Sequence, residues 1–231
     1  MKVKLVNKKY LVKIAGQYYI QKEGAPLGKG AFGTVYKMFA SDYHWLTKNV
    51  SNVRKDRSIA LKVSKSIRSN FELKQNLNQA KVENDLLVGN LRKRGVVNQV
   101  IAKDDRIYAA MPDLGSHELY DYFSKPKQVS EFNAMKSSDL FRWLSEMADQ
   151  MVELHNITHT KSFVHLDLKP ENIMVDDVLG FGVKSPMLID FGFAKELISS
   201  GLKEGEKPLG KFRDFQSGKI GTGSYMAPET Y

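Results

Sequence analysis

The chain has 231 residues and no cysteine, and its 35 basic and 26 acidic residues give a formal net charge of +9. This length is sufficient for one large domain or two small lobes with a buried core, and 42% hydrophobic content is typical of a globular protein. The composition excludes disulfides and thiolate metal sites. Because there is also no apolar run long enough to cross a bilayer and no signal-peptide core in residues 1–9, a cytoplasmic protein is predicted.

The first half of the chain is predicted to be rich in strands. Short apolar runs bounded by turn residues place strands at residues 10–14, 18–20, 34–38, 58–63 and twice within 96–111. The polar stretch 41–57 predicts a long loop. Residues 70–92 favour a helix, because Leu73, Leu77, Ala80, Leu86 and Leu87 recur near helical spacing.

The pattern changes from Ser138 onward, where apolar residues follow a helical period. They are Leu140, Phe141, Leu144, Met147, Ala148, Met151, Val152 and Leu154. An amphipathic helix of about four turns is therefore predicted. A strand-rich part is thus followed by a helical part, with the boundary between residues 112 and 119.

A glycine pattern at Gly28, Gly30 and Gly33 is suited to phosphate binding, because glycines let a ligand approach exposed backbone N–H groups. A dinucleotide-binding turn would open a helix at the last glycine. Residues 34–38 instead continue as a strand, so the pattern favours a glycine-rich hairpin.

Four further motifs follow in a fixed order. Lys62 ends the run Ile59-Ala60-Leu61-Lys62, the run His165-Leu166-Asp167-Leu168-Lys169-Pro170-Glu171-Asn172 precedes Asp190-Phe191-Gly192, and Met226-Ala227-Pro228-Glu229 comes last. Together with the glycines, this set resembles the eukaryotic-type serine/threonine protein kinases.

The resemblance implies an α+β, bilobal protein-kinase-like fold. Its N-terminal lobe, residues 1–111, is an antiparallel β-sheet with one helix, and residues 112–118 form the hinge. Residues 119–231 form a helical C-terminal lobe with the catalytic loop and the activation segment, shorter than the family's usual lobe.

The resemblance also assigns catalytic roles. Asp167 would accept the proton of the acceptor hydroxyl, Lys169 would steady the transferring phosphate, and Lys62 would contact the α and β phosphates. Such a lysine needs an anionic partner, for which Glu83 on the predicted helix is the candidate. Asp85 and Glu72 are the alternative partners.

ATP and Mg²⁺ are the implied cofactors, with Mn²⁺ as a substitute. Asn172 and Asp190 would supply oxygen ligands to the metal, as a hard cation prefers. The implied nucleotide-binding residues are Leu27, Gly28, Gly30, Gly33, Val35, Ala60, Lys62, Met111, Pro112, Leu114, Glu118 and Met174. Among them, Pro112 would offer its carbonyl and Leu114 its N–H to adenine, and Glu118 either reaches the ribose or is a surface acid.

The implied partner is a protein substrate with a serine or threonine acceptor. Lys169-Pro170-Glu171 favours these hydroxyls over tyrosine, and Thr222 would help to form the floor of the acceptor site. The positive charge predicts a basic surface and a cation-lined nucleotide site. No nucleic-acid partner is expected, because no zinc-finger, RNA-recognition or aromatic–basic pattern is present.

The chain departs from the family pattern at Leu166, where the family has an arginine that pairs with a phosphorylated activation loop. Control through that ion pair is therefore not expected. Residues 190–229 form a long segment with basic residues at Lys203, Lys207, Lys211, Arg213 and Lys219, and the hairpin between Asn172 and Asp190 is extended. His155 and His159 are spaced for a helical metal site, but without a third ligand they are interpreted as polar helix-end residues.

The C-terminus leaves two interpretations open. The chain is either part of a longer protein, which is favoured, or a minimal kinase resembling the small secreted bacterial effector kinases that act in a host cytosol. A kinase-like nucleotide- or partner-binding module without strong activity is the alternative function, and a regulatory partner would fit it. A lipid or metabolite kinase is disfavoured by the activation segment.

Overall fold

The computed structural model describes residues 1–30, 32–44, 47–91, 99–114, 117–155, 161–176, 185–198 and 223–225. The chain divides into two compact units, Met1–Asp113 and Leu114–Tyr231. The division falls inside the segment 112–118, whose role as a hinge stays a prediction. Among the residues described, no helix has the length and apolar character needed to span a bilayer.

Unit 1 is an antiparallel sheet with one helix. Its strands are β1 (Lys2–Val6), β2 (Lys9–Ile14), β3 (Gln17–Gln21), β4 (Gly28–Lys29), β5 (Gly33–His44), β6 (Asn49–Ser64), β7 (Gln99–Lys103) and β8 (Arg106–Pro112). The strand order is β1-β2-β3-β5-β6-β8-β7, and β4 pairs with β5. Helix α1 (Asn70–Leu91) lies between β6 and β7 in sequence and ends within one residue of its predicted end.

One face of this sheet forms the core of unit 1. The buried members are Val3, Val12, Ile14, Tyr19, Met38, Ala40, Ile59, Leu61, Val63, Tyr108 and Ala110. They come from strands across the whole sheet, which is possible because the sheet curls. Nζ of Lys103 on β7 lies 3.0 Å from the carbonyl oxygen of Val3 on β1, although these strands stand at opposite ends of the strand order.

The predicted loop over residues 41–57 is wrong, because β5 and β6 pair as a long hairpin through most of that stretch. The register changes between Phe39 and Asp42. Polar residues are compatible with a two-stranded ribbon, since both of its faces can meet solvent while the backbone groups pair. Gln17 braces the ribbon, donating from Nε2 to the Ser41 carbonyl at 3.0 Å and accepting from Arg54 at 2.8 Å.

Unit 2 has helices α2 (Asp121–Ser124), α3 (Pro126–Asn133) and α4 (Ser137–His155). Its strands are β9 (His117–Glu118), β10 (Lys161–Val164), β11 (Ile173–Asp176), β12 (Ser185–Leu188) and β13 (Lys195–Ile198). They form a three-stranded sheet in the order β12-β11-β9 and a separate β10-β13 pair.

Helix α4 confirms the predicted amphipathic helix, but its apolar residues are unequally buried. Trp143 and Leu154 are buried, whereas Phe141, Leu144 and Val152 are exposed. Helical periodicity identifies a stripe of apolar residues but not which part of the stripe meets other side chains. In sequence, α4 is followed after residues 156–160 by β10 and then by the segment that holds the candidate catalytic residues.

Candidate active site

Four predicted nucleotide-binding residues lie on one face of the unit 1 sheet. Val35 on β5 pairs with Lys62 on β6, and Ala60 on β6 pairs with Met111 on β8. Since side chains alternate along a strand, Ala60 and Lys62 share a face, whereas Leu61 between them belongs to the core on the opposite face. The structure therefore brings together the residues that were assigned to adenine and to the phosphates in this unit.

The glycine pattern forms the predicted hairpin, with Gly28 opposite Val35 and a backbone bond of 2.9 Å from the Gly30 N–H to the Gly33 carbonyl. A Cβ added at Gly33 would lie 2.2 Å from the carbonyl oxygen of Val63, so this glycine permits the close approach of β5 to β6. A Cβ at Gly28 or Gly30 would meet nothing within 4 Å. Gly28 and Gly30 thus leave space for a ligand, while Gly33 is needed for packing.

Lys62 and Glu83 form an ion pair in unit 1. Nζ of Lys62 lies 2.6 Å from Oε1 of Glu83, and the two side chains are 23% and 17% exposed. Leu86 and Leu87 are buried on the same helix, so α1 presents Glu83 towards β6. The alternative partners Asp85 and Glu72 are exposed. Partial burial makes this charge-assisted pair stronger than a surface pair.

A second ion pair lies at the end of β8 and was not predicted. The Asp113 carboxylate, 6% exposed, has its Oδ2 2.6 Å from Nζ of Lys37 and accepts a bond of 2.5 Å from the Ser58 hydroxyl. Strand alternation places Lys37 on the same face as Val35. This alternation is the feature of the sequence that could have indicated the position of Lys37. Met111 and Pro112 immediately precede Asp113 in sequence, and Leu114 is the first residue of unit 2.

In unit 2 the structure brings Asp167, Lys169 and Asn172 together. The short 3₁₀ turn Pro170–Asn172 carries Asn172 back towards Asp167, where its Nδ2 donates to the Asp167 carbonyl at 2.8 Å and to Oδ2 at 3.0 Å. Nζ of Lys169 lies 3.0 Å from the same Oδ2. Asp167 is 5% exposed, so these donors replace much of the hydration that its carboxylate loses on burial.

His165 connects this loop to the segment before Asp190. It is 1% exposed, its ring nitrogen Nε2 lies 3.1 Å from the Ile189 carbonyl oxygen, and its Nδ1 accepts from the Asp167 N–H at 3.3 Å. These roles fit the neutral tautomer with hydrogen on Nε2. Burial lowers the pKa of His165, against the opposing effects of the Ile189 carbonyl and the nearby carboxylates of Asp190 and Asp167. Sequence reasoning did not assign it a role.

Two residues of the site have left-handed backbones. Leu166 has φ 63° and Asp190 has φ 58°. A side chain in this conformation costs about 1–2 kcal/mol, so the surrounding contacts must hold it. Around Asp190 these contacts include the bond from the Ile189 N–H to the Asn172 carbonyl at 2.9 Å and the His165 bond to Ile189.

The predicted metal ligands suit a hard cation. Because Asn172 uses its amide nitrogen for the bonds to Asp167, its amide oxygen is the atom that can bind a metal. A carboxylate from Asp190 and this amide oxygen are a donor set for Mg²⁺, which commonly takes few protein ligands and completes its shell with phosphates and water. Among the described residues there is no group of three or more His, Cys, Asp or Glu side chains that could hold a metal.

The remaining two nucleotide candidates of unit 2 are cross-strand neighbours. Glu118 on β9 is paired with Met174 on β11. The Glu118 residue is exposed, and the part of its carboxylate that is buried, with Asp121 and Glu171 nearby, raises its pKa. Leu27 precedes β4 and is half exposed.

Several predicted features lie outside the described residues. They are Thr222, His159, the Met226-to-Glu229 motif, most of the extended hairpin after Asp176, and the basic residues Lys203, Lys207, Lys211, Arg213 and Lys219. His155 is exposed at the end of α4.

Comparison with known families gives one match that covers most of the chain. The sequence model of the protein kinase domain matches residues 21–231. The match begins at the last residue of β3, so the β1–β2 hairpin precedes it.

Individual relatives are similar at modest identity. The chain is 28% identical to an Aurora kinase of Schizosaccharomyces pombe over 74% of its own length and 40% of the relative. It is 27% identical to serine/threonine-protein kinase sgk-1 of Caenorhabditis elegans over 88% of its length and 35% of the relative. It is 33% identical to serine/threonine-protein kinase D of Synechocystis over 52% of its length and 25% of the relative. The chain thus spans less than half of the length of these curated relatives.

Proposed function

The chain belongs to the protein kinase family, and from that premise we propose that it transfers the γ-phosphoryl group of ATP to serine or threonine hydroxyls of protein substrates. The observation that supports this most strongly is the joint geometry of Asp167, Lys169 and Asn172 in unit 2, together with the Lys62–Glu83 pair in unit 1. Each of these side chains has a separate task in phosphoryl transfer, and none of them alone would carry the proposal.

Unit 1 would bind the non-transferred phosphates. Glu83 fixes the direction of the Lys62 ammonium, which can then donate to phosphate oxygens without first losing rotamer freedom. The open space at Gly28 and Gly30 allows backbone N–H groups to approach the same phosphates. Val35, Ala60 and Met111 present an apolar surface for the adenine ring.

Unit 2 would orient the acceptor and hold the metal. Asp167 accepts the hydrogen bond of the acceptor hydroxyl and takes its proton as the new P–O bond forms and the bond to the ADP oxygen breaks. Lys169 stabilises charge on the transferring group. Asn172 and Asp190 would hold Mg²⁺, which supplies charge neutralisation on the phosphates.

The test is transfer of radiolabelled phosphate from ATP to a panel of casein, histone and myelin basic protein, with acid hydrolysis of the product to identify phosphoserine and phosphothreonine. Asp167→Asn and Asp190→Asn are the matched inactive controls, and melting temperatures verify folding. Transfer by the wild type that both variants lose is the expected result. Tight Mg–ATP binding without transfer would instead support the non-catalytic binding module, and label only in a lipid fraction would contradict a protein acceptor.

A further inference from the structure

Gln150 of helix α4 makes two hydrogen bonds to strand β12. Its Nε2 donates to the Pro186 carbonyl at 2.8 Å, and its Oε1 accepts from the Leu188 N–H at 3.0 Å. A longer bond of 3.3 Å joins Nε2 to the Glu146 carbonyl of the same helix. The Gln150 side chain is partly buried, whereas Pro186 and Leu188 are buried.

The two bonds match the hydrogen-bonding pattern of a strand edge. β12 pairs with β11 through Ile173 opposite Leu188 and Val175 opposite Pro186. In an antiparallel ladder, residues i and i+2 direct their backbone groups to the same edge. A primary amide carries a donor nitrogen and an acceptor oxygen side by side, so Gln150 can bond both the Pro186 carbonyl and the Leu188 N–H and occupies the edge of β12 in place of a further strand.

Leu188, the last residue of β12, is separated from Asp190 in sequence by Ile189 alone. After Leu188, Ile189 is held at its N–H by the Asn172 carbonyl and at its carbonyl by His165, and the next residue adopts the left-handed backbone. Such a conformation persists only when its surroundings determine it. Gln150 holds Pro186 and Leu188, which precede the left-handed Asp190, from the edge of β12 opposite to β11.

We propose that Gln150 is a positioning residue for Asp190, setting through β12 the affinity of the site for its metal. The inference rests on the proposed function, since it assigns Asp190 to the metal. Gln150 does not contact the reacting groups itself. Its action is indirect: without the amide, Leu188 and Pro186 lose their partners on this edge, and the strand end can shift or fluctuate at little cost.

The test compares Gln150→Met with the wild type. Methionine keeps the length and the helix propensity of glutamine but offers no amide. Glu153→Met, at an exposed position of the same helix, is the matched control. Three quantities are measured: hydrogen exchange at the Leu188 amide, the Kd of Mn²⁺ in the presence of a non-hydrolysable ATP analogue by electron paramagnetic resonance, and the Kd of the analogue without metal.

In Gln150→Met, exchange at Leu188 is expected to be faster and the Mn²⁺ Kd to rise by about tenfold, with metal-free nucleotide affinity within about twofold of wild type. Glu153→Met should leave all three quantities unchanged. A purely structural role would lower nucleotide affinity with and without metal in the same proportion, and this outcome would overturn the proposal.

Two other outcomes separate this inference from the proposed function. If the wild type binds Mn²⁺ with the analogue and Gln150→Met binds it equally well, the positioning role is wrong while the kinase proposal stands. If the wild type binds no metal–nucleotide, both are wrong. Should Gln150→Met fail to fold, Gln150→Glu keeps the acceptor for Leu188, loses the donor to Pro186 and Glu146, and places a negative charge beside the Pro186 carbonyl. An unchanged Mn²⁺ Kd in this folded variant would equally overturn the inference.

Discussion

Nζ of Lys62 and Oε1 of Glu83 lie 2.6 Å apart although 21 residues separate them in sequence. One residue stands on a strand and the other on a helix, so the pair couples the position of α1 to that of β6. Any change that moves α1 should therefore also change the direction of the Lys62 ammonium.

Glu83→Gln should lower kcat/KM for ATP by at least about tenfold, because it removes the charge from a bond worth about 1.5–3 kcal/mol. Steady-state kinetics at several ATP concentrations measures this. Asp85→Asn, on an exposed position of the same helix, is the control and should stay near wild type. Equal losses in both variants would show that helix charge, and not the Lys62 contact, matters.

Asp167→Asn should reduce phosphoryl transfer by about 10²–10⁴-fold, the usual contribution of a positioned general base. Its affinity for Mg–ATP should remain close to that of the wild type, because Asp167 is assigned to the acceptor hydroxyl. Single-turnover kinetics and calorimetry separate the two quantities. Near-normal turnover by a folded variant would remove Asp167 from this role.

Asp113→Ala should destabilise unit 1 by about 1–3 kcal/mol, since it leaves the Lys37 ammonium and the Ser58 hydroxyl without their shared acceptor. Urea unfolding measures the change. Asp42→Ala is the comparison, because the contacts of Asp42, at 3.7 Å to Arg54 and 3.0 Å to the Asn52 amide, are exposed, and their loss should cost less than about 0.5 kcal/mol. Similar losses of unfolding free energy in the two variants would show that the buried contacts of Asp113 stabilise unit 1 no more than the exposed contacts of Asp42 do.

The buried His165 should make stability depend on pH. Its folded pKa lies below the ordinary value of 6.5, so the unfolded chain binds the proton first as pH falls. The stabilising contribution is therefore complete above about pH 6.5 and is lost as pH decreases through the folded pKa, by at most about 1.4 kcal/mol per pH unit.

Unfolding free energies of the wild type and His165→Gln between pH 8 and pH 5 measure this contribution. The difference in unfolding free energy between the wild type and His165→Gln should decrease as pH falls, because only the wild type loses the stabilising contribution of the neutral histidine. Parallel curves would show that His165 titrates alike in both states.

Activity should not require phosphate on the segment after Asp190, because Leu166 offers no cation to such a group. Phosphatase-treated protein should keep most of its activity, as should Ser217→Ala and Ser224→Ala. Ser224 lies exposed in the short turn Gly223–Tyr225, and Ser217 falls outside the described residues. A loss of more than about tenfold at unchanged melting temperature would mean that another cation, such as one between Lys203 and Arg213, pairs with the phosphate.

The β-strand and helix predictions succeeded where apolar residues recur near a strand or a helical period. Helix α1 and strands β2 and β3 lie close to their predicted bounds. The β5–β6 ribbon was missed because its residues are polar, and pairing there depends on backbone groups that composition does not reveal. The strand β1 was likewise not predicted from its mixed charged and apolar residues, although its Val3 reaches the core of the curled sheet.

The family and the chemical groups of the candidate site could be predicted from the chain alone, since Lys62, Asp167, Asn172 and Asp190 each stand in a short local motif. Which side chains hold these groups in place depends on how the strands and helices pack. Gln150, Asp113 and His165 act through contacts between residues far apart in sequence, such as the 38-residue separation of Gln150 and Leu188. These contacts carry no local signature, because a glutamine, an aspartate or a histidine acquires its partner only when the strands and helices pack.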